Sequence, residues 1–178
     1  MDVKTIILGF LNTEDMSGYD IKQAFSNCIG FFYDASFGAI YPALRKLEEE
    51  GCVTKQEIIQ SGKPNKILYS ITEKGREVFE QEIMTPVLPP VLRSDMLVKI
   101  YFAGNRSLEE RKSLLENGLA MQKQLYANTK KSYARLVDRL DAHQRFCWEY
   151  TLNHLEMTIN YLETHTPALL KVNEEVRV

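Results

Sequence analysis

The feature that most limits what this chain can fold into is a change of rhythm at Gly51. Before it, apolar residues recur at helical spacing; after it come two β-rich runs, residues 53–60 and 66–71. In the second run Ile67, Tyr69 and Ile71 alternate with Leu68 and Ser70, the two-residue period of a strand. SGKPN, residues 61–65, lies between the runs and is a tight turn by composition. Thr72 then caps a further helix that reaches about Met84. A hairpin is thus set between helices, and the chain must fold around it.

Upstream, apolar residues at positions 3, 6, 7, 10 and 11 give a helix with one buried face. Ser17 caps a second helix through about Cys28, with Asp20 in the first turn where the helix dipole favours an acid. Gly30 breaks it, and Phe31, Phe32 and Tyr33 follow. Asp34 or Ser36 opens a third helix, whose Ile40, Leu44 and Leu47 share a buried face, and Gly51 closes it as a left-handed cap. Three helices, a hairpin and a helix make the winged helix-turn-helix order over residues 1–84. TPVLPP cannot continue a helix, so residues 85–93 are expected to be a linker.

The rest reads as helical, with a helical domain over 94–165 and a tail over 166–178. Ser94 opens a short helix that Gly104 closes, and Ser107 with Glu110 makes a capping box. The helix it starts is expected to reach Leu140, about 50 Å at 1.5 Å per residue. The last helix is expected from Gln144 to His165. In it Trp148, Leu152, Leu155, Ile159 and Leu162 form an a/d-like stripe, and Tyr150, Met157 and Tyr161 form a second apolar edge. A helix apolar over so wide an arc contacts more than one neighbour. The fold class expected is mainly α with a small β-hairpin.

Composition removes several function classes. Cys28, Cys52 and Cys147 are far apart and form no CxxC pair, which argues against a disulfide framework or a cysteine zinc site and for free thiols in a reducing cytoplasm. Ile6 to Leu11 is too short for a secretory leader, and no run approaches the roughly 18 apolar residues that cross a membrane. His143, His154 and His165 recur every eleven residues, so on one helix face they stand about 16 Å apart, too far to share a metal. HExxH, P-loop, GxSxG and dinucleotide fingerprints are all missing, so neither an enzyme nor a bound cofactor is expected. Residues 1–86 hold nine Lys/Arg against thirteen Asp/Glu, a balance of −4. A nucleic-acid role must therefore rest on where the basic residues lie.

Three segments carry a family resemblance: ILGFLNTEDMSGYDIKQAF, ASFGAIYPALRKLEEEGCV and SGKPNKILYSITEKGREVF. Together they resemble the PadR-type transcriptional regulators, and RSDMLVKIYFAG resembles the start of the long helical domain of the larger members. The resemblance implies a cytoplasmic homodimer that binds a palindromic DNA operator through the winged helix and pairs through its C-terminal helices. The pairing stripe would be Trp148, Leu152, Leu155, Ile159 and Leu162.

Pattern and resemblance together mark the DNA-facing residues. If Ile40, Leu44 and Leu47 face the core, Gly38, Pro42, Arg45 and Glu49 face away, with Phe37 and Tyr41 on the flank. Pro42 would clash with the Gly38 carbonyl, so the pair loosens the first turn and keeps that face low. Ser36, Phe37, Gly38, Tyr41 and Pro42 would then lie against DNA, with Phe37 and Tyr41 offering apolar contact to thymine methyls, the Tyr41 hydroxyl a base or phosphate contact, and Arg45 and Lys46 meeting phosphates. The blander reading makes Pro42 a helix-start residue and Tyr41 a packing residue. Ser17 and Gly18 open a helix N-terminus, either a phosphate site or an ordinary cap. Lys63, Asn65 and Lys66 form the wing tip around Pro64, either against DNA or solvated. A small aromatic effector would lie among Tyr19, Phe32, Tyr33 and Tyr101, unless these simply build the core joining the two domains. Tyr19 has a second reading, towards phosphate. The competing functional class is a winged helix that binds a protein instead of DNA, to which the −4 balance gives weight.

Overall fold

A computed structural model of the protein describes residues 1–30, 33, 37–59, 65–89 and 92–171. Phe31, Phe32, Asp34, Ser36, Lys63 and Pro64 lie outside the described residues, as does the side chain of Phe37. The chain divides after Pro89 into two units.

The first unit is a winged helix-turn-helix. Its helix α1 (Val3–Leu11) starts at Asp2, whose carboxylate accepts from the Thr5 amide at 3.0 Å. Strand β1 (Met16–Ser17) leads directly into α2 (Gly18–Ala24), which ends in one wider π turn at Phe25–Ile29. A 3-10 turn at Phe37–Ala39 precedes α3 (Ile40–Glu49). Strands β2 (Val53–Ile58) and β3 (Lys66–Ile71) follow, then α4 (Glu73–Ile83). The sheet is antiparallel in the order β1-β3-β2, so the expected two-stranded hairpin gains a third strand. That strand is too short to show alternation in sequence; it exists because Met16 pairs with Tyr69 and Ser17 with Leu68.

Helical spacing places the core. Ile7, Leu8 and Leu11 of α1 meet Ile21 and Phe25 of the second helix and Ile40, Leu44 and Leu47 of α3, with Cys52 and Val53 at the start of β2. The Phe10 and Phe25 rings meet edge to face at 5.4 Å. Gly51 takes φ +72°, the left-handed cap that its position foretells. The turn it makes receives α4: the Thr72 hydroxyl donates to the Gly51 carbonyl at 2.8 Å, and the Thr72 amide donates to the Cys52 carbonyl at 3.0 Å. Gly75 lies so close to this turn that a Cβ there would fall 2.1 Å from the Cys52 carbonyl oxygen.

The second unit opens with α5 (Asp95–Tyr101), capped by Ser94, and a 3-10 turn at Ala103–Asn105. Then α6 (Leu108–Leu136) starts from the Ser107–Glu110 capping box and closes in a 3-10 turn at Val137–Arg139, short of the expected Leu140. It packs along α7 (Ala142–Lys171). α7 is longer than the sequence reading at both ends. At its start Asp141 accepts from the Gln144 amide at 2.9 Å while the Gln144 side chain accepts from the Asp141 amide at 3.1 Å, a capping box two residues earlier than expected. At its end the helix runs through Pro167 to Lys171, so the first six residues assigned to a tail are helical. Pro167 lies in this last stretch, where it removes one amide from the helix ladder.

Between α6 and α7 lie Leu115, Thr129, Trp148, Thr151, Leu155, Ile159 and Leu162, all buried. Tyr133 stacks on Trp148 at 5.9 Å, and its hydroxyl donates to Glu149 at 2.8 Å. The two buried threonines satisfy their hydroxyls within their own helices, Thr129 on the Leu125 carbonyl and Thr151 on that of Cys147, each at 2.8 Å. No helix among the described residues is long and apolar enough to cross a membrane.

Candidate nucleic-acid interface

α3 divides cleanly into two faces. Ile40, Leu44 and Leu47 are buried, while Gly38, Tyr41, Pro42, Arg45, Lys46 and Glu49 are exposed. The outward set is the one that helical spacing predicts. Pro42 has a simpler explanation than a loosened turn. Because the α-helix begins at Ile40, Pro42 is its third residue, and the first amides of a helix have no intrahelical acceptor to lose. No side chain caps this start; the Phe37–Ala39 turn leads into it instead.

Tyr41 both packs and presents. It is 56% exposed, yet its ring lies so near Gly18 that a Cβ there would sit 2.7 Å from Tyr41 Cε1. The start of α2 is therefore the surface that orients Tyr41, and a glycine is what lets the two helices meet.

The α2 start is capped from within. Asp20 Oδ2 accepts from the Ser17 hydroxyl at 2.7 Å and the Ser17 amide at 3.1 Å, while the Asp20 amide donates back to the hydroxyl at 3.2 Å. Ser17 is thus engaged as a cap. The same carboxylate oxygen takes Lys66 Nζ at 2.9 Å. Lys66, then Ser17, hold the Asp20 carboxyl below the usual aspartate range. Of the wing residues, Asn65 donates its amide to Glu57 at 2.8 Å, so both described tip residues bond within the protein; Lys63 lies outside the described residues.

Two residues beside α3 escaped the sequence reading. The β2–β3 register sets Lys55 opposite Tyr69. Lys55 Nζ lies 2.9 Å from Glu48 of α3, and that hydrogen bond raises the lysine further above its ordinary value. Burial pushes the Tyr69 phenol up, Lys55 opposes this, and Glu48, Tyr41 and Arg45 all act on the same hydroxyl. Tyr41, Arg45, Lys55 and Tyr69 thus share one electrostatic neighbourhood. Only the strand register could have revealed it, and sequence alone leaves that open.

A family model described as the transcriptional regulator PadR-like family matches residues 7–81, and one described as virulence activator alpha C-term matches residues 92–165. The negative transcriptional regulator PadR of Bacillus subtilis is 32% identical over 136 residues, covering 76% of this chain and 75% of that protein. This chain belongs to the PadR-like family of transcriptional regulators. A PadR-like regulator from Bacillus cereus superposes with a TM-score of 0.84 at 32% identity, over 95% of this chain and 96% of that one. Bacillus subtilis PadR in complex with operator DNA superposes with a TM-score of 0.81 at 26% identity, over 95% of this chain and 99% of that one.

The other sites expected of a PadR-like chain are less assembled. In the first unit Tyr19 is exposed and its hydroxyl accepts from Gln23 at 2.8 Å, whereas Tyr33 packs on the core and donates to the Met1 carbonyl at 3.2 Å. In the second unit Tyr101 is 82% exposed and meets Phe102 edge to face at 5.0 Å. Phe32 lies outside the described residues. A groove of about 1040 Å³ runs between α5 and the first half of α6, lined by Arg93, Met96, Lys99, Glu109, Asn117 and Met121 among others. No group of His, Cys, Asp and Glu among the described residues is placed to hold a metal.

The a/d-like stripe is taken up inside the subunit. Trp148 is 3% exposed, Leu155, Ile159 and Leu162 are buried and Leu152 is half-buried, on the side of α7 that packs along α6. α6 thus already covers the residues that the sequence reading gave to a second copy. The opposite side of α7 carries Phe146, Tyr150, Met157 and Tyr161, all exposed. Their spacing of four, seven and four residues keeps them on one stripe at 100° per residue.

Proposed function

We propose that this chain is a cytoplasmic, homodimeric, sequence-specific DNA-binding repressor, released from a palindromic operator by a small aromatic effector. The observation that carries the reading is the outer face of α3. Tyr41, Pro42, Arg45 and Lys46 stand exposed with Lys55 and Tyr69 beside them, in a family whose member PadR is known in complex with operator DNA. Tyr41 suits the methyl edges of thymines, Pro42 keeps the face beside it low, and Arg45 and Lys46 suit phosphates. The repressor reading draws on the relative named a negative regulator.

Pairing falls to the bare stripe of α7, with Phe146, Tyr150, Met157 and Tyr161 closing on their equivalents in a second copy. The winged helices then meet two half-sites about one helical turn apart. The aromatic effector is supported within the second unit by the exposed Tyr101–Phe102 pair and by the groove beside α5, a seat of adequate size. It acts by as much as its affinity differs between the DNA-competent and DNA-incompetent states.

The test is a binding assay on the DNA upstream of the chain's own gene against random duplex, repeated with a panel of phenolic and cationic aromatic compounds. Specific binding is expected, and Arg45→Ala should weaken it and flatten the log-affinity against log-salt slope by about 0.9. Equal binding to operator-like and random DNA overturns the reading. The −4 balance of residues 1–86 keeps one competitor, a protein-binding winged helix, for which the salt slope with duplex DNA would be near zero.

A further inference from the structure

Lys66 was expected to touch DNA, but the fold assigns its charge elsewhere. Its ammonium lies 2.9 Å from Asp20 Oδ2, the oxygen that also receives the Ser17 amide and hydroxyl. The contact joins the first residue of β3, at the tip end of the wing, to the first turn of α2. That turn also holds Gly18, which meets the ring of Tyr41, so Asp20 lies two residues from the glycine on which Tyr41 packs. An aspartate is a poor neighbour for a phosphodiester. Its place is fixed, since the capping box needs an acceptor at that position. Within a unit whose first 86 residues carry −4, one more unmasked acid at this point matters.

We propose that Lys66 is a positioning and charge-masking residue: it neutralises Asp20 at the start of α2 and ties the wing strand to that helix, and it does not itself bind a phosphate. The inference rests on the DNA-binding reading above. It makes Lys66 important to DNA affinity only while Asp20 is present. A phosphate-binding lysine would matter whether or not Asp20 were there.

The experiment compares wild type, Lys66→Met, Asp20→Asn and the double variant by fluorescence anisotropy on operator duplex over a range of salt. Thermal melts accompany each protein to establish that it is folded. Lys66→Met is expected to weaken binding roughly five- to tenfold at low salt, the effect of one unscreened charge near a phosphate. Asp20→Asn alone should bind at least as well as wild type. The double variant should return to within about twofold of wild type, with the wild-type salt slope, because its local charge is again zero. If the double variant stays as weak as Lys66→Met and its slope is shallower by about 0.9, Lys66 is a phosphate contact and the proposal is overturned. If wild type itself shows no preference for operator DNA, the functional reading falls and takes this inference with it. Binding without rescue overturns the inference alone.

Discussion

Replacing Gly18 by alanine should separate folding from DNA recognition. The new methyl would lie 2.7 Å from Tyr41 Cε1 and 3.3 Å from Cζ, so the ring must retreat by about 1 Å to reach an ordinary carbon–carbon contact. The backbone itself accepts alanine, since the glycine held at positive φ is Gly51 and not Gly18. Two stability effects then oppose each other. Alanine favours a helix over glycine by up to about 1 kcal/mol, less at the first position, and a displaced ring costs about 0.5–1.5 kcal/mol. The sum should stay within about 1 kcal/mol, a shift in melting temperature of no more than about 5 °C. Binding has no such compensation. A side chain moved off a base edge forfeits about 1–3 kcal/mol, so operator affinity should fall about fivefold or more. Fluorescence anisotropy on operator duplex measures this, in a cycle with Tyr41→Ala. If Tyr41 is the only intermediary, Gly18→Ala should have no further effect once Tyr41 is gone. Wild-type affinity in Gly18→Ala, or an undiminished loss in the Tyr41→Ala background, would refute the reasoning.

Gly75→Ala should be severely destabilising, by about 2–4 kcal/mol in a denaturant melt, because its methyl meets the Cys52 carbonyl oxygen and a backbone atom cannot swing aside. Glutamate at Tyr150, Met157 and Tyr161 together should yield a monomer by light scattering, with helical content unchanged and operator binding weakened; a dimer of normal mass would move the pairing surface elsewhere. Asp20→Asn should lower the melting temperature slightly at neutral pH. Because the folded Asp20 carboxyl titrates below its ordinary value of about 3.9, its contribution is present above that value and lost as pH falls through the folded pKa. The gap between Asp20→Asn and wild type should therefore close in strong acid, and a gap that widens there would contradict the assigned shift.

What the sequence reveals here is mostly local. Ser17, Thr72, Ser94 and Ser107 all cap where they were expected to, because capping needs only a side-chain oxygen and amides two or three residues on. Gly51 and the inward set of α3 are equally local. Asp141 and Gln144 carry the same kind of signal, and their capping box starts α7 two residues before the expected Gln144. Other features depend on distant partners. β1 exists through its pairing with β3, Lys55 reaches Glu48 through the fold, and Lys66 reaches Asp20 across the wing. The sequence shows two apolar edges on the last helix, but periodicity cannot say which one α6 covers.

The bare stripe of α7 has a consequence for how such a regulator responds to its own abundance. On the proposed pairing, the form competent for operators grows with the square of subunit concentration wherever monomers predominate. Halving the supply of chain would then cut the competent form about fourfold. A regulated gene would be released by modest dilution during growth, with no small molecule involved.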